Sequence, residues 1–257
     1  MPLFSSYVAI GDSFTEGVGD EQPDGTVRGW ADFVALGLAQ AAAPEPVTYA
    51  NLAIRGRKLG PIVDEQLEPA IALAPELISF NGGGNDILRP KMPTERVVTR
   101  FREAIEGIRA AGIHALMLSG ANPLDHLPMG RLFDKRGKEL TAALSDLAEL
   151  PGVTFVDNFS DEGLRDIRYW SADKLHLNSL GHARVASNVL RALELPVPPE
   201  WGVEEVASQP PGARARNTAA YYREYVLPWI GRRLTGRSSG DGRSFKRPVL
   251  ERIDISA

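Results

Sequence analysis

The sequence predicts an α/β fold in which a parallel β-sheet carries helices on both faces. Three observations support this prediction: short apolar runs recur along the chain, longer amphipathic stretches separate them, and Gly or Pro residues end the helical stretches. Short, nearly continuous apolar runs are typical of parallel strands that are buried on both faces. Strands that alternate with helices are typical of right-handed βαβ units, which build such a sheet.

Five predicted strands and five predicted helices make up the core. The strands are the short apolar runs Tyr7–Ile10, Val47–Leu52, Leu77–Phe80, Ala115–Leu118 and Val153–Val156. The helices are the amphipathic stretches of about Trp30–Ala42, Gly60–Leu73, Glu95–Ala111, Lys135–Leu150 and Ser179–Leu195. Gly112 ends the third helix and the Pro-rich segment 196–199 ends the fifth, as is usual for these residues after a helix.

Composition limits the class of protein and the chemistry open to it. The chain has 257 residues, of which 43% are hydrophobic and 24% charged, as in soluble globular proteins that bury a sizeable core. The lack of cysteine excludes disulfides, thiolate metal sites and a cysteine nucleophile. We see no signal peptide and no apolar run near the roughly 18 residues that span a bilayer, so we expect a cytoplasmic protein.

The chain divides into a core domain, residues 1–195, and an extension, residues 196–257. The extension begins with a linker, continues with an aromatic helix over Asn217–Leu227, and ends in a flexible basic tail. Residues 208–257 carry a charge of +6, whereas residues 1–207 carry −10. A basic tail suits nucleic acid or anionic lipid, but the sequence favours a solvated tail against an acidic body, without a nucleic-acid partner.

The aromatic helix of the extension has three possible places. It packs on the core, which the sequence favours, or it caps the site, or it forms a dimer contact. The oligomeric state is therefore open between monomer and dimer.

Candidate site residues follow the predicted strands. Ligands of open parallel sheets bind at the carboxyl ends of the strands, so residues just after a strand are the first candidates. The residues with suitable chemistry at these ends are Ser13 in Gly11-Asp12-Ser13-Phe14, Gly56, Asn85 after three glycines, and the pair Asp173 and His176.

Together these residues meet the needs of nucleophilic catalysis by serine. A serine nucleophile needs a base, the base needs an orienting group, and the developing oxyanion needs hydrogen-bond donors. We interpret Ser13 as the nucleophile, His176 as the base and Asp173 as its orienting partner. The expected oxyanion donors are the backbone N–H groups of Ser13 and Gly56 and the side-chain amide of Asn85. The other histidines share no metal-ligand spacing, so no metal or organic cofactor is expected.

This set of residues resembles the SGNH hydrolase family, also called GDSL esterases and lipases. The four letters of the name fall on Ser13, Gly56, Asn85 and His176, and the resemblance extends from about Tyr7 to Leu195. The resemblance implies a flavodoxin-like three-layer α/β/α sandwich with a five-stranded parallel sheet. It also implies hydrolysis of esters in lipids, acylated sugars or thioesters, or in some members acyl transfer. Phe14 replaces the leucine of the GDSL motif, at a position expected to pack rather than react.

The expected function is therefore ester hydrolysis through an acyl-Ser13 intermediate. The alternatives are an acyltransferase or a thioesterase that uses the same site, or an inactive flavodoxin-like binding protein. An α/β-hydrolase is disfavoured because Thr15 stands where its Gly-x-Ser-x-Gly motif has the last glycine. A nucleotide-binding protein is disfavoured because the sequence contains no P-loop.

The expected substrate is a small-molecule ester with a small acyl group, or an acylated polar molecule. The residues expected to line the mouth of the site are Leu88, Leu124, Met129 and Trp170.

Overall fold

The computed structural model describes residues 4–87, 93–123, 125–127, 130–210, 212, 218–228 and 238–255. Six strands form one sheet in the order β5-β4-β3-β1-β2-β6, with β1 to β5 parallel and β6 antiparallel to β2. The strands are β1 Ser6–Ile10, β2 Thr48–Asn51, β3 Leu77–Phe80, β4 His114–Leu118, β5 Val153–Val156 and β6 Arg247–Arg252.

All five core helices predicted from the sequence are present. The α-helices are α1 Ser13–Glu16, α2 Trp30–Ala42, α3 Leu59–Ile62, α4 Glu68–Ala72, α5 Gly84–Ile87, α6 Thr94–Ala110, α7 Gly130–Ser145, α8 Ser179–Ala192, α9 Val203–Ser208 and α10 Ala219–Tyr221. The described residues also form two π-helical segments, Val63–Leu67 and Tyr222–Val226. The 3₁₀ turns are Asp146–Glu149, Glu162–Arg165, Ile167–Tyr169 and Pro199–Trp201. The largest difference in bounds is at α7, which begins at Gly130 rather than at Lys135.

The sheet is covered on both faces, as its apolar strands predict. Alternate side chains of β1 point to opposite faces, because successive residues of a strand do so. Tyr7 and Ala9 join the hydrophobic cluster with α2 and α8, whereas Val8 and Ile10 join the cluster with α6. The α/β fold with helices on both faces is therefore confirmed.

The expectation of a five-stranded, wholly parallel sheet is wrong, because β6 adds a sixth strand. Thr48 of β2 pairs with Arg252 and Asn51 pairs with Arg247, across an irregularity in the register. The sequence Arg-Pro-Val-Leu-Glu-Arg of β6 lacks an apolar run because an edge strand has only one neighbour and is largely exposed. Pro248 is tolerated there for the same reason. The prediction of a flexible tail is thus wrong for residues 247–252.

The extension after Leu195 packs on the core at two places. Trp201 is buried in the cluster of α2 and α8, with its ring 5.2 Å from that of Phe33 in an edge-to-face arrangement. Tyr221, at the end of α10, is also buried, and its hydroxyl donates to the carbonyl of Asp173 at 3.0 Å. The boundary between the two parts at residue 195 stays a prediction. Among the described residues, no helix combines the length and the apolar character that crossing a bilayer requires.

Candidate active site

The turn after β1 presents Ser13 at the start of α1. Asp12 caps this short helix, because its Oδ1 accepts the N–H of Phe14 at 3.1 Å. Gly11 is required by close packing, since a Cβ added there would lie 2.4 Å from Oγ1 of Thr15. Ser13 itself is half-buried, so the residue is partly open to solvent.

Ser13, His176 and Asp173 form one continuous chain of hydrogen bonds. Oγ of Ser13 lies 3.1 Å from Nε2 of His176, and Nδ1 of His176 lies 2.6 Å from Oδ2 of Asp173. A carboxylate accepts only, so it fixes the ring proton on Nδ1. Nε2 is then left as an acceptor for the hydroxyl of Ser13. This arrangement makes Ser13 a potential nucleophile with an adjacent base.

The carboxylate of Asp173 is held in its ionised form by the loop that contains it. Its Oδ1 accepts from the hydroxyl of Ser171 at 2.7 Å and from the N–H groups of Leu175 and His176 at 2.9 Å each. Burial raises the pKa of Asp173, but the hydrogen bonds and the charge of His176 outweigh it and hold the pKa well below its usual range. Asp173 is therefore an acceptor that keeps the ring of His176 in one orientation.

Asn85, on α5, lies beside the nucleophile turn, as the sequence predicts. Its Nδ2 donates to Oδ2 of Asp12 at 3.1 Å and to the carbonyl of Arg57 at 3.0 Å. Burial raises the pKa of Asp12 to about 6, although the hydrogen bonds from Phe14 and Asn85 favour the ionised form. The amide thus faces two acceptors in this structure, and it has to exchange one of them to donate to an oxyanion.

Gly56 lies in a turn after β2 with φ +74°, a conformation that glycine adopts without steric cost. Its N–H and that of Ser13 donate to no acceptor among the described residues. The preceding residue ties this turn to α1: the carboxylate of Glu16 accepts from the N–H of Arg55 at 2.6 Å and from its guanidinium at 2.8 and 2.6 Å. The turn that carries the N–H of Gly56 is therefore tied to the helix that Ser13 begins.

Gln66 supports the nucleophile turn and was missed by sequence reasoning. Its Oε1 accepts the N–H of Gly11 at 2.8 Å, and its Nε2 donates to the carbonyl of Gly11 at 3.0 Å. Gln66 is fully buried in the π-helical segment between α3 and α4. Its spacing from Ile62 and Ala70 places it on the apolar face of a predicted helix, and a glutamine on such a face was the available signal.

Two of the three glycines before Asn85 lie where apolar side chains of neighbouring helices approach closely. A Cβ added at Gly82 would lie 3.1 Å from Cδ1 of Ile62, and one added at Gly83 would lie 3.0 Å from Cγ1 of Val97. Two of the glycines therefore allow helices to pack closely on this turn.

Most residues expected to line the substrate mouth fall outside the described part of the chain. Leu88, Leu124 and Met129 are not among the described residues. Trp170 is 6% exposed, and its indole N–H donates to the carbonyl of Leu164 at 2.7 Å. The indole belongs to the hydrophobic core next to the Asp173 loop and offers little surface as a pocket wall.

His182 has a structural role in α8. Its Nδ1 accepts the N–H of Trp30 at 3.2 Å, so the proton lies on Nε2, which is 3.4 Å from the carbonyl of Val18. Burial lowers the pKa of His182 to about 4. Phe14 was expected to pack rather than react. It packs between His182 and Trp30, with its ring 5.8 Å from that of Trp30. Within the described ranges, no group of His, Asp and Glu side chains is placed to hold a metal ion.

Comparison with known proteins identifies the family. Residues 9–184 match the sequence model of the GDSL-like lipase/acylhydrolase family. The chain belongs to this family. The resemblance seen in the sequence is thus confirmed, and the protein is a GDSL-like hydrolase of the esterase and lipase type. The chain is also 25% identical over 225 residues to the uncharacterized protein YpmR of Bacillus subtilis (strain 168), which covers 72% of this chain and 80% of YpmR.

Solved structures of other esterases and lipases share the fold of this GDSL-like hydrolase. The lipase Lip_vut3 from a goat rumen metagenome has a TM-score of 0.62 and 20% identity, over 73% of this chain and 96% of that one. The acetylxylan esterase Axe2 from Geobacillus stearothermophilus has a TM-score of 0.60 and 18% identity, over 75% and 95%. Three further Axe2 structures are catalytic mutants in which a serine, an aspartate or a histidine is replaced by alanine.

Proposed function

We propose that this GDSL-like hydrolase cleaves carboxylic esters through a covalent acyl-Ser13 intermediate. The observation that carries the proposal is the unbroken chain of hydrogen bonds from Oγ of Ser13 through His176 to Asp173. The catalytic mutants of Axe2 support it, because the same three residue types are the ones replaced there. In Axe2 the aspartate and histidine are three positions apart, as Asp173 and His176 are here.

In the first step, Oγ of Ser13 attacks the ester carbonyl carbon while Nε2 of His176 accepts the hydroxyl proton. The carbonyl oxygen becomes an oxyanion, which accepts hydrogen bonds from the N–H groups of Ser13 and Gly56 and from the amide of Asn85. Asn85 joins this set by giving up one of its two present acceptors. The C–O bond of the ester then breaks, and the alcohol leaves with the proton from His176.

In the second step, water replaces the alcohol. His176 accepts a proton from the water as its oxygen attacks the acyl-Ser13 carbonyl, and the same donors hold the second oxyanion. Collapse releases a carboxylic acid and returns the proton from His176 to Oγ of Ser13. Asp173 stays ionised throughout and stabilises the imidazolium.

The solved relatives, rather than the pocket, support the substrate class that we propose. One is a lipase and another an acetylxylan esterase, so we propose a carboxylesterase with either a short acyl group on a sugar or a longer acyl chain. Hydrolysis of p-nitrophenyl esters of increasing chain length and of acetylated xylooligosaccharides separates these two substrates.

A fluorophosphonate probe and the Ser13→Ala variant test the mechanism. We expect the probe to label the protein at Ser13, and Ser13→Ala to lose both labelling and hydrolysis of p-nitrophenyl acetate, because the nucleophile is gone. The matched control is Ser160→Ala, which removes an exposed serine from a loop at the same edge of the sheet. Hydrolysis by Ser13→Ala at the wild-type rate, or probe attached elsewhere, would contradict the proposal.

A further inference from the structure

Residues 238–252, which we call the C-terminal strap, lie outside the family match yet contact the Gly56 turn. A Cβ added at Gly56 would lie 2.4 Å from Oγ of Ser238 and 2.8 Å from Oγ of Ser239. A Cβ added at Gly240 would lie 2.1 Å from the carbonyl oxygen of Arg55. The strap and the turn are therefore closely packed, with two serine side chains against Gly56 and Gly240 against the backbone of Arg55.

Lys246 anchors the strap to the nucleophile helix. Its Nζ donates to the carbonyl oxygen of Glu16 at 2.8 Å and to Oδ2 of Asp32 at 2.5 Å. The side chains of Lys246 and Asp32 are only 16% and 20% exposed, so this ion pair is largely shielded from water. Removal of one partner of a shielded pair leaves the other charge poorly solvated, so the loss of either side chain is destabilising.

Glu16 joins the strap, the nucleophile helix and the Gly56 turn. It is the last residue of α1, which Ser13 begins, and its carboxylate binds the N–H and guanidinium of Arg55, next to Gly56. Its backbone carbonyl binds Lys246. Glu16 thus contacts both Lys246 of the strap and Arg55 of the Gly56 turn.

We propose that Lys246 is a positioning residue for the oxyanion site. In this proposal the C-terminal strap fixes the position of the Gly56 N–H relative to the Ser13 N–H. The inference rests on the proposed function, in which these two N–H groups bind the oxyanion. The oxyanion donors are thus supported by a segment that lies outside residues 9–184, the range that matches the family model.

The test compares Lys246→Met with the matched control Arg243→Met. Arg243 is an exposed cation of the same strap, and its side chain makes no hydrogen bond or ion pair with the described residues. We expect Lys246→Met to lower kcat by about tenfold to a hundredfold with KM changed less than twofold, because misplacement of a donor by about 1 Å has an effect of that order. Arg243→Met should keep the wild-type kcat, and Lys246→Arg should recover part of the loss.

Two measurements separate positioning from a loss of folded protein. Active-site titration with the fluorophosphonate gives kcat per reactive Ser13, which a fall in the folded fraction does not change. A trifluoromethyl ketone, to which Oγ of Ser13 adds with transfer of its proton to His176, carries an oxyanion in its bound form. Its affinity should fall by the same factor as kcat/KM. An unchanged affinity and an unchanged titrated kcat in Lys246→Met would overturn the proposal.

Gly240→Ala provides a second test should Lys246→Met fail to fold. The new methyl group displaces the carbonyl of Arg55, so kcat per titrated site should fall here as well, again with little change in KM. Wild-type kcat in a folded Gly240→Ala protein, or a rise in kcat in either variant, would overturn the positioning role. Hydrolysis that survives in Ser13→Ala would instead disprove the proposed function, so the two failures are distinguishable.

Discussion

His176 and His182 are close in sequence, but their surroundings give them different roles. His176 is 21% exposed, and its Nδ1 pairs with the carboxylate of Asp173 while its Nε2 faces Oγ of Ser13. His182 is fully buried between two backbone groups, which favours the neutral ring. The hydrogen-bond partners and the burial of each histidine thus decide its role.

His182 should make the protein less stable in acid. Its folded pKa of about 4 lies below the ordinary value of 6.5, so the unfolded chain binds more protons between these values. The free energy of unfolding should therefore fall as the pH falls from 6.5 to 4, with a contribution of about 3 kcal/mol from this group. His182→Gln keeps an acceptor and a donor but does not titrate, so urea unfolding at several pH values should show a weaker dependence.

The comparison with wild type isolates His182 from other buried groups. Asp12, with its raised pKa, acts in the opposite direction over part of this range, but it is present in both proteins. The same change in unfolding free energy between pH 6.5 and 4 in the variant and in wild type would refute the role given to His182.

The sequence predicted Ser13, Gly56 and Asn85 because each lies soon after the end of a strand, whereas Asp173 and His176 lie further beyond β5 and were found by their residue types. Ser13, Gly56 and Asn85 directly follow buried apolar runs, and the topology then brings them to one edge of the sheet. Gln66 acts from the middle of a helix, and its partner is a backbone group, so no motif pointed to it. A side chain whose partner is a backbone group is therefore harder to recognise from the sequence than a side chain that takes part in a reaction.

At the scale of elements, the π-helical segment Val63–Leu67 delivers a single side chain to the nucleophile turn. π-Helical turns inside α-helices are rare and are frequent at functional sites. Here the segment joins α3 to α4 and places Gln66 against the peptide groups of Gly11. The helix thus fixes the strand end from which Ser13 projects.

Gln66→Leu should weaken both the fold and the reaction. In this variant the carbonyl oxygen of Gly11 still accepts the N–H of Ile54 at 3.3 Å. The N–H of Gly11, however, would be buried without a hydrogen-bond partner. Such a group costs about 1–3 kcal/mol, so the free energy of unfolding should fall by that amount. The turn before Ser13 should also loosen, so kcat should fall. Urea denaturation and steady-state kinetics measure the two effects.

Gln40→Leu is the control, since Gln40 donates from α2 to Glu200 at an exposed site. It should change the free energy of unfolding by less than about 0.5 kcal/mol. If Gln66→Leu were as stable and as active as Gln40→Leu, the two hydrogen bonds between Gln66 and Gly11 would have no energetic importance.

For the whole molecule, β6 covers an edge that the five parallel strands leave open. The five strands were predictable because both of their faces are buried and their sequences are apolar. β6 was not, because Arg247, Pro248 and Glu251 are suited to an exposed edge and resemble a solvated tail. Pairing between β2 and β6 depends on backbone groups, which every sequence provides.

Deletion of residues 238–257 should therefore cause self-association. It uncovers the N–H and C=O groups along β2, and an uncovered edge pairs with other chains. We expect a lower melting temperature and larger species in size-exclusion chromatography with light scattering. Val249→Ala, which trims an exposed side chain of β6 and keeps the edge covered, should elute as wild type does. A deleted protein with the wild-type elution volume and melting temperature would disprove this protective role.

The position of β6 in the chain also has a consequence for biosynthesis. Thr48 of β2 pairs with Arg252, so this pairing must wait until nearly all of the intervening chain has left the ribosome. Ser13, Asp173 and His176 lie earlier in the chain and emerge before β6. In our proposal, the nascent chain assembles its nucleophile and base first and gains full reactivity only when the strap arrives. The ester-cleaving activity would then reach its full level only after residue 252 has emerged.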